Sequence, residues 1–490
     1  MSWVGRWLLY FHDWNNSINS VIQTTTTKKL DALTSPTTNT DTDGAPFKPL
    51  RIGVLGAAEI NYVSIIEPVS THPTALITAI AARDKSRAEA QIAYYKASLP
   101  GPVKAYGSYD EVVADPDIDA VYIPLPNGLH YKWALAALEA GKHVLVEKPI
   151  TSNAREARAL AAAAHRTGKV ALEAFHWLFH PAAHTVKAML TSGEYGRVVS
   201  VSPTMVLPAG VLGPDDIRFK YPLGGGSSMD LTYVYSASCY FADQTPLPAP
   251  ESTSTSSNGR TGSSAGFTVL EATPRINASD KLIDDGMKTI ISFDGPDAGT
   301  GSSGGGSGSG RWEAKAFTTC DLYVPKLFGL IPRLWVPLPS IKIECDRAEI
   351  QFTNFPGPWL NHQIVVTPVT RDAATGKIAS RGKKRKAQKC YVGGPVWEHE
   401  RDEEGKVVGE EWWTTYRYQL EGFVRKIREV EEETAKSKNK VPYKPTGGGS
   451  DSNSGGYVYK GPWVSLDQSV RIMDVIDAVY EKAGLPVRGE

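Results

Sequence analysis

The 490-residue chain predicts an α/β protein in two parts: a doubly wound parallel sheet near the N-terminus, then a second α/β domain with an open, mostly antiparallel sheet. Three observations carry this prediction. From Leu50 to about residue 175, short apolar runs alternate with amphipathic helical stretches, as βαβ units require. A glycine turn, at Gly56, follows the first of those runs directly. Beyond residue 175 strand-like runs crowd together, broken by glycine and serine rather than by helices.

LRIGVLG, LITAIAAR, AVYIPLP and HVLVEKP are the expected strands of the first domain, placed at residues 48–175. Between them KSRAEAQIAYYKA and HYKWALAALEAG read as helices, the second stopped by Gly141. REARALAAAAHRTG (155–168) continues the rhythm, and KVALEAF adds a further strand. Residues 176–490 form the expected second domain, with VVSVSPTMVL, TVLEAT, MKTIISF, SIKIEC and AEIQFTNF as strands. A helix is expected near 230–242, and SLDQSVRIMDVIDAVYEKAG is a terminal helix stopped by Gly484. Three low-complexity tracts (244–265, 296–310 and 444–456) are expected to be flexible linkers. The basic run RGKKRKAQK (381–389) reads as a solvated loop rather than a targeting signal.

Lysine plus arginine and aspartate plus glutamate both number 53, so no general attraction to nucleic acid or acidic lipid follows. Cys239, Cys320, Cys345 and Cys390 are scattered without metal-ligand spacing. That argues against a disulfide framework or structural zinc and fits a reducing, cytoplasmic compartment. No run approaches the roughly 20 apolar residues of a membrane span. Trp3, Trp7, Leu8, Phe11 and Trp14 fall near one helical face. Residues 1–47 therefore read as an amphipathic segment, docked on protein or lying on a membrane surface, followed by a disordered tether.

IGVLGAAEIN (52–61) opens a helix after the first strand, where a dinucleotide fingerprint wants three glycines. Only Gly56 is strictly in place; Ala58 and Asn61 take the other two positions, and Glu59 and Ile60 join the candidate cofactor contacts. The second strand ends at Arg83 rather than at an acid. An arginine there suits a ribose 2′-phosphate, with Lys85 and Arg87 adding charge, so NADP is the expected cofactor. Asp84 is the acid that would choose NAD instead. PLPNGLH supplies Pro124, Leu125, Asn127 and His130 at a strand's carboxyl end, where open α/β sheets bind ligands. Asn127 reads equally well as a helix cap.

GVLGAAEI, AARDKSRAEA, DPDIDAVYIPLPNGLHYKWALAALEAGKHVLVEKP, EAFHWLFHP and LGGGSSMDLTY together resemble the Gfo/Idh/MocA oxidoreductase family. Within it they look like the branch of NADP-dependent D-xylose 1-dehydrogenases and dimeric dihydrodiol dehydrogenases. The resemblance is dense over 50–243 and fainter at AEIQFTNFPGPW, TTYRYQLEGFV and the terminal helix. It implies an N-terminal Rossmann domain, a C-terminal sheet that often packs against a second subunit, and hydride transfer between nicotinamide and a hydroxyl-bearing carbon. The E-K-P motif carries the family's catalytic lysine, which falls on Lys148, and Glu147 falls where the family contacts the nicotinamide ribose.

A lysine there would orient the substrate hydroxyl and stabilise developing negative charge, while Pro149 restricts the backbone of Lys148. In the family a helix after a glycine run carries an aspartate and, one turn on, a tyrosine or histidine proton acceptor. Asp230 is in place, but four residues on stands Val234. Tyr233 is the favoured match, with Tyr235 as the neighbour left open. Close relatives have an arginine where this chain has Leu178. His176, His180 and Arg218 are the remaining substrate candidates. The expected activity is an NADP-dependent sugar dehydrogenase, most simply D-xylose oxidised to its lactone. A trans-dihydrodiol dehydrogenase and a catalytically silent cofactor-binding regulator are the alternatives.

Overall fold

The computed structural model describes residues 49–242, 266–294, 313–325, 336–372, 374–387, 389–402, 405–439 and 458–489. The expected N-terminal segment and tether (1–47) and the three low-complexity tracts (244–265, 296–310 and 444–456) lie outside the described residues. The first sheet comprises β1 (Leu50–Leu55), β2 (Ala75–Ala81), β3 (Lys104–Tyr106), β4 (Ala120–Ile123), β5 (His143–Val146) and β6 (Ala171–Glu173). Its order is β3-β2-β1-β4-β5-β6 with every pairing parallel. The direction of winding reverses between β1 and β4, which opens a crevice at the strands' carboxyl ends. β3 and the helix Tyr109–Ala114 were not foreseen. A three-residue, half-exposed edge strand has no apolar run to announce it.

Helices Lys85–Tyr94, His130–Glu139 and Ala154–Thr167 cover the sheet where the periodicity placed them. After β1 the chain first makes a π-helical turn, Tyr62–Ile66, and then a short α-helix, Glu67–Thr71.

The second sheet has nine strands: β7 (Val198–Pro208), β8 (Phe267–Ile276), β9 (Asp284–Asp294), β10 (Glu313–Val324), β11 (Ser340–Cys345), β12 (Ala348–Thr353), β13 (Gln363–Arg371), β14 (Ile378–Arg381) and β15 (Arg385–Lys386). Its path runs β14-β13-β12-β11-β7-β10-β9-β8, with β15 beside β13. All pairings are antiparallel except β7 with β10. β10 escaped the sequence reading because its inward residues are mostly small: Ala314, Ala316, Thr318, Cys320 and Leu322 alternate with exposed neighbours. The basic run at 381–389 is not simply a loop. Arg381 ends β14 with its guanidinium on the Glu349 carboxylate at 2.7 and 3.0 Å, and Arg385–Lys386 form an edge strand.

Two C-terminal helices return to the first domain. Thr415–Asn439 packs on the π turn and on Glu67–Thr71, and Leu466–Lys482 packs on Ala154–Thr167. The return is secured by polar contacts at the start of that last helix: Asp477 Oδ2 accepts from the Ala154 amide at 2.8 Å, and Asn153 Nδ2 donates to the Arg488 carbonyl at 2.8 Å. No helix among the described residues is long and apolar enough to cross a membrane.

Candidate active site

β5 ends at Val146, and the Glu147 amide still donates to the Ile123 carbonyl at 3.1 Å, so Glu147 and Lys148 leave the sheet at the crevice. The Lys148–Pro149 peptide is cis. Lys148 reaches across to the helix Ser227–Asp230, where Nζ donates to the Asp230 carbonyl at 2.6 Å and to its Oδ1 at 3.1 Å. Arg218 Nε stands 2.9 Å from the other carboxylate oxygen of Asp230, while its Nη1 bonds Asp216 Oδ1 at 3.1 Å. Burial pushes the Asp230 carboxyl up, but the Arg218 guanidinium and the Lys148 ammonium outweigh it and hold it at about 2. Asp230 is therefore a permanent carboxylate between two cations.

The glycine run before Asp230 has a physical reason. At Gly226 φ is +129°, and a Cβ there would lie 2.3 Å from Asp284 Oδ1 and 2.8 Å from Arg488 Nη2. Asp284 and Arg488 form a fully buried pair 3.1 Å apart. Asp284 Oδ2 also accepts from the Ser227 hydroxyl and the Ser228 amide, at 2.7 and 2.9 Å. The chain's last described turn thus fixes the helix that presents Asp230.

That helix stops at Leu231, and a new one, Tyr233–Ala242, begins after Thr232. The break explains why four-residue spacing fails at Val234, which is buried, and why Tyr233 faces the site. Lys148 Nζ lies 5.4 Å from the Tyr233 ring centroid, and the Tyr233 hydroxyl meets His176 Nε2 at 2.7 Å. Tyr235 points the other way, to Ser228 Oγ at 3.0 Å. Burial, with Tyr416, Glu147 and Asp230 nearby, drives the Tyr233 phenol well above its ordinary range, so it remains neutral.

His176 is buried beside it, with Nδ1 2.7 Å from Thr415 Oγ1 and its ring stacked on Tyr416 at 4.0 Å. Burial, assisted by Lys148, lowers His176 to about 3. His180 does not reach the site. Its Nδ1 accepts from the Ala182 amide at 3.2 Å, capping the helix Pro181–Thr191, and its ring packs among His362, Tyr391 and Tyr418. Arg218 holds Asp230 rather than offering an unoccupied guanidinium. Thr415, Tyr416 and Asp216 were missed; only the fragment TTYRY hinted at the first two.

The other end of the crevice is built from local backbone. Gly56 has φ +115°, and Asn61, fully buried, donates from Nδ2 to the Gly56 carbonyl at 2.8 Å. Asn61 Oδ1 is a buried oxygen that meets no donor among the described residues. Ala58 and Ile60 are half-buried in this turn and Glu59 is exposed. Arg83 and Arg87 are exposed past β2, and both bear electrostatically on Tyr109. Asp84 is spent on its own helix: Oδ1 accepts from the Ser86 amide at 3.0 Å as the N-cap of Lys85–Tyr94.

Pro124 and Leu125 line the turn after β4 with their side chains buried. Asn127 neither caps a helix nor faces the crevice with a spare amide; Nδ2 donates to the Gly224 carbonyl at 3.0 Å and joins the two domains. His130 is likewise withdrawn, fully buried with Nε2 on the Leu125 carbonyl and Nδ1 on the Pro149 carbonyl, both at 2.7 Å. It ties the β4 loop to the E-K-P turn. Glu147 accepts from the Tyr122 hydroxyl at 2.7 Å, and burial raises its carboxyl.

Comparison with known proteins bears on the fold that carries these residues. Residues 50–175 match the model of the oxidoreductase family with an NAD-binding Rossmann fold, Gfo/Idh/MocA. A Haloferax volcanii D-xylose 1-dehydrogenase (NADP(+)) is 44% identical over 39% of this chain and 57% of its own length. A Xenopus laevis trans-1,2-dihydrobenzene-1,2-diol dehydrogenase is 34% identical over 32% of this chain and 44% of its own. The matched segments thus span about half the length of these curated relatives. A 3-ketoreductase from Actinomadura kijaniata, solved with NADP and TDP-benzene, shares the fold over 89% of this chain and 98% of its own, at a TM-score of 0.58 and 19% identity. Residues 50–175 are thus similar to the NAD-binding Rossmann fold of the Gfo/Idh/MocA oxidoreductase family, and the six-stranded parallel sheet they form has that fold.

Proposed function

We propose that the protein is an NADP-dependent oxidoreductase that moves a hydride between the nicotinamide and a CH–OH carbon of a sugar, acting on D-xylose or a similar aldose to form the lactone. The observation that carries this reading is Lys148, anchored on the ionised Asp230 and beside Tyr233, at the carboxyl end of the parallel sheet. The residues present fit the cofactor. Gly56 supplies the open turn after β1, Arg83 and Arg87 leave exposed cations where a 2′-phosphate would sit, and Glu147 stands next to the lysine. Asp84, the residue that would favour NAD, is engaged as a helix cap.

NADP, when bound, supplies the hydride acceptor or donor. The chain's own groups manage the proton and the charge. Lys148 would hydrogen-bond the reacting hydroxyl: as the neutral amine it would take the hydroxyl proton in the oxidative direction and become the ammonium, and as the ammonium it would return that proton in the reductive one. Asp230 stays ionised throughout, so it fixes the ammonium without competing for the proton. Tyr233, kept neutral by burial, gives the same oxygen a second hydrogen bond. The aromatic wall of Tyr233, His176 and Tyr416 favours a second reading, a flat trans-dihydrodiol as substrate.

The second sheet bears exposed apolar side chains, Leu270 and Phe317 among them. That face supports a homodimer joined sheet to sheet, which sedimentation of the full chain would test. Reduced-nicotinamide formation by the purified protein with NADP or NAD, across aldoses and trans-dihydrodiols, tests the activity. Turnover with NADP and an aldose is the expected result. Tight cofactor binding without turnover on any of them would leave a silent, cofactor-binding regulator instead.

A further inference from the structure

We propose that His176 is a positioning residue for Tyr233, and that Thr415 and Tyr416 on the distant helix Thr415–Asn439 belong to the same working unit. The inference rests on the hydride-transfer reading and extends the site well beyond the matched residues 50–175. His176 is 4% exposed and both of its ring nitrogens meet hydroxyls: Thr415 Oγ1 at Nδ1 and Tyr233 at Nε2, each at 2.7 Å. A neutral imidazole has one N–H and one lone pair. One of the two hydroxyls must therefore donate to the ring while the other accepts from it. The direction of the Tyr233 proton is thereby tied to that of Thr415.

The ring is held in place for this task. It stacks on Tyr416 with an interplanar angle of 26°, which blocks rotation about its own axis, and meets the Tyr233 ring edge-on at 5.6 Å. The helix that carries Thr415 and Tyr416 is in turn clamped to the nucleotide-binding domain. Arg417, 2% exposed, bonds Glu421 Oε2 at 2.9 Å, and His72 Nε2 lies 3.3 Å from the same carboxylate. Thr415 is thus fixed relative to the domain that would hold the cofactor, and the hydroxyl of Tyr233 is aimed by parts of both domains. Lys148 is the charge that bears on the ring, Tyr233 and Tyr416 are the titratable groups in contact with it, and Glu147 and Asp230 bear on Tyr233 in turn.

The test compares wild type, His176→Phe, His176→Gln and Thr415→Val by steady-state kinetics on the best aldose, with NADP affinity measured separately by fluorescence. Phenylalanine keeps the stacking and loses both nitrogens. His176→Phe is expected to lower kcat by ~10–100-fold, the range set by losing an aiming hydrogen bond, with KM changed less than threefold and NADP affinity unchanged. His176→Gln, which restores one polar contact, should recover part of kcat. Thr415→Val, of nearly equal volume, should fall between and carries the test if the phenylalanine variant does not fold. A kcat within twofold of wild type in both His176→Phe and Thr415→Val overturns the inference alone. Absence of turnover in the wild type overturns the hydride-transfer reading, and the inference with it.

Discussion

At one end of the crevice the groups that would hold the dinucleotide are half-exposed and come from neighbouring stretches: Gly56 to Ile60, then Arg83 and Arg87. At the other end the candidate acid–base groups are partly or fully buried, and they come from Lys148, His176, Arg218, Asp230, Tyr233, Thr415 and Tyr416. The first end offers backbone and unattached charge to a ligand that brings its own charge. The second already satisfies nearly every polar atom internally, as burial demands. A ligand at the first end needs only space and sign, whereas the second requires seven side chains to arrive in register from two domains. Damage should therefore separate: substitutions at the lysine end should reach kcat, and substitutions at the arginine end should reach cofactor choice.

Replacing Lys148 with alanine is the harshest way to press that contrast. Turnover should fall by ~10³-fold or more, the upper range for a positioned acid–base group, while NADP affinity stays within a few-fold. Initial rates and fluorescence titration read the two separately; parallel loss of both would mean that the ends are not independent. Arg218→Leu comes next, because it removes one of the two cations on Asp230. A ~10–100-fold loss in kcat is expected from one charge-assisted contact, and the acid limb of the pH–rate profile should move upward as the Asp230 carboxyl rises from about 2.

At the other end, Arg83→Ala should lower the preference for NADP over NAD by ~10-fold through loss of a charge-assisted contact to the 2′-phosphate. Asp84→Asn should leave that preference alone, since asparagine caps a helix as well as aspartate does. A shift toward NADP in that variant would show that the carboxylate does reach the ribose.

The smallest effect concerns stability. Glu173, fully buried beneath the E-K-P turn, accepts the Ile150 amide at 2.9 Å, and burial raises its carboxyl from 4.5 to about 8. The folded protein thus keeps a proton that the unfolded chain releases above pH 4.5. Its stability contribution is complete below that pH and falls as pH rises toward about 8. Glu173→Gln should flatten the decline in Tm between about pH 4.5 and about pH 8, the window between those two pKa values. An unchanged slope would mean that Glu173 is ionised in the fold.

Strand–helix alternation made most of the first sheet legible, because buried parallel strands are continuous apolar runs. β10 stayed hidden for the opposite reason, its inward face being mostly small residues. The histidines divided in a similar way. EAFHWLFHP offers two histidines four residues apart, and nothing local says which one faces the crevice. Pro181 decides it, since the residue before a proline at a helix start is the natural N-cap, and His180 takes that position. Asp84 and Arg83 were likewise adjacent alternatives until the carboxylate turned back to cap its own helix.

What the sequence determined alone was the order of most strands and helices around the first sheet, the opening at Gly56, and the lysine at the end of β5. Each depends on residues within one turn or one strand of each other, where periodicity and φ preferences act directly. The tertiary structure decided which tyrosine faces Lys148, that Arg218 serves Asp230, and that Thr415 and Tyr416 join His176, more than 200 residues upstream. Those outcomes depend on a break between two helices, a buried Asp284–Arg488 pair and the return of a C-terminal helix. They are contacts between remote segments, settled by where buried polar groups find partners.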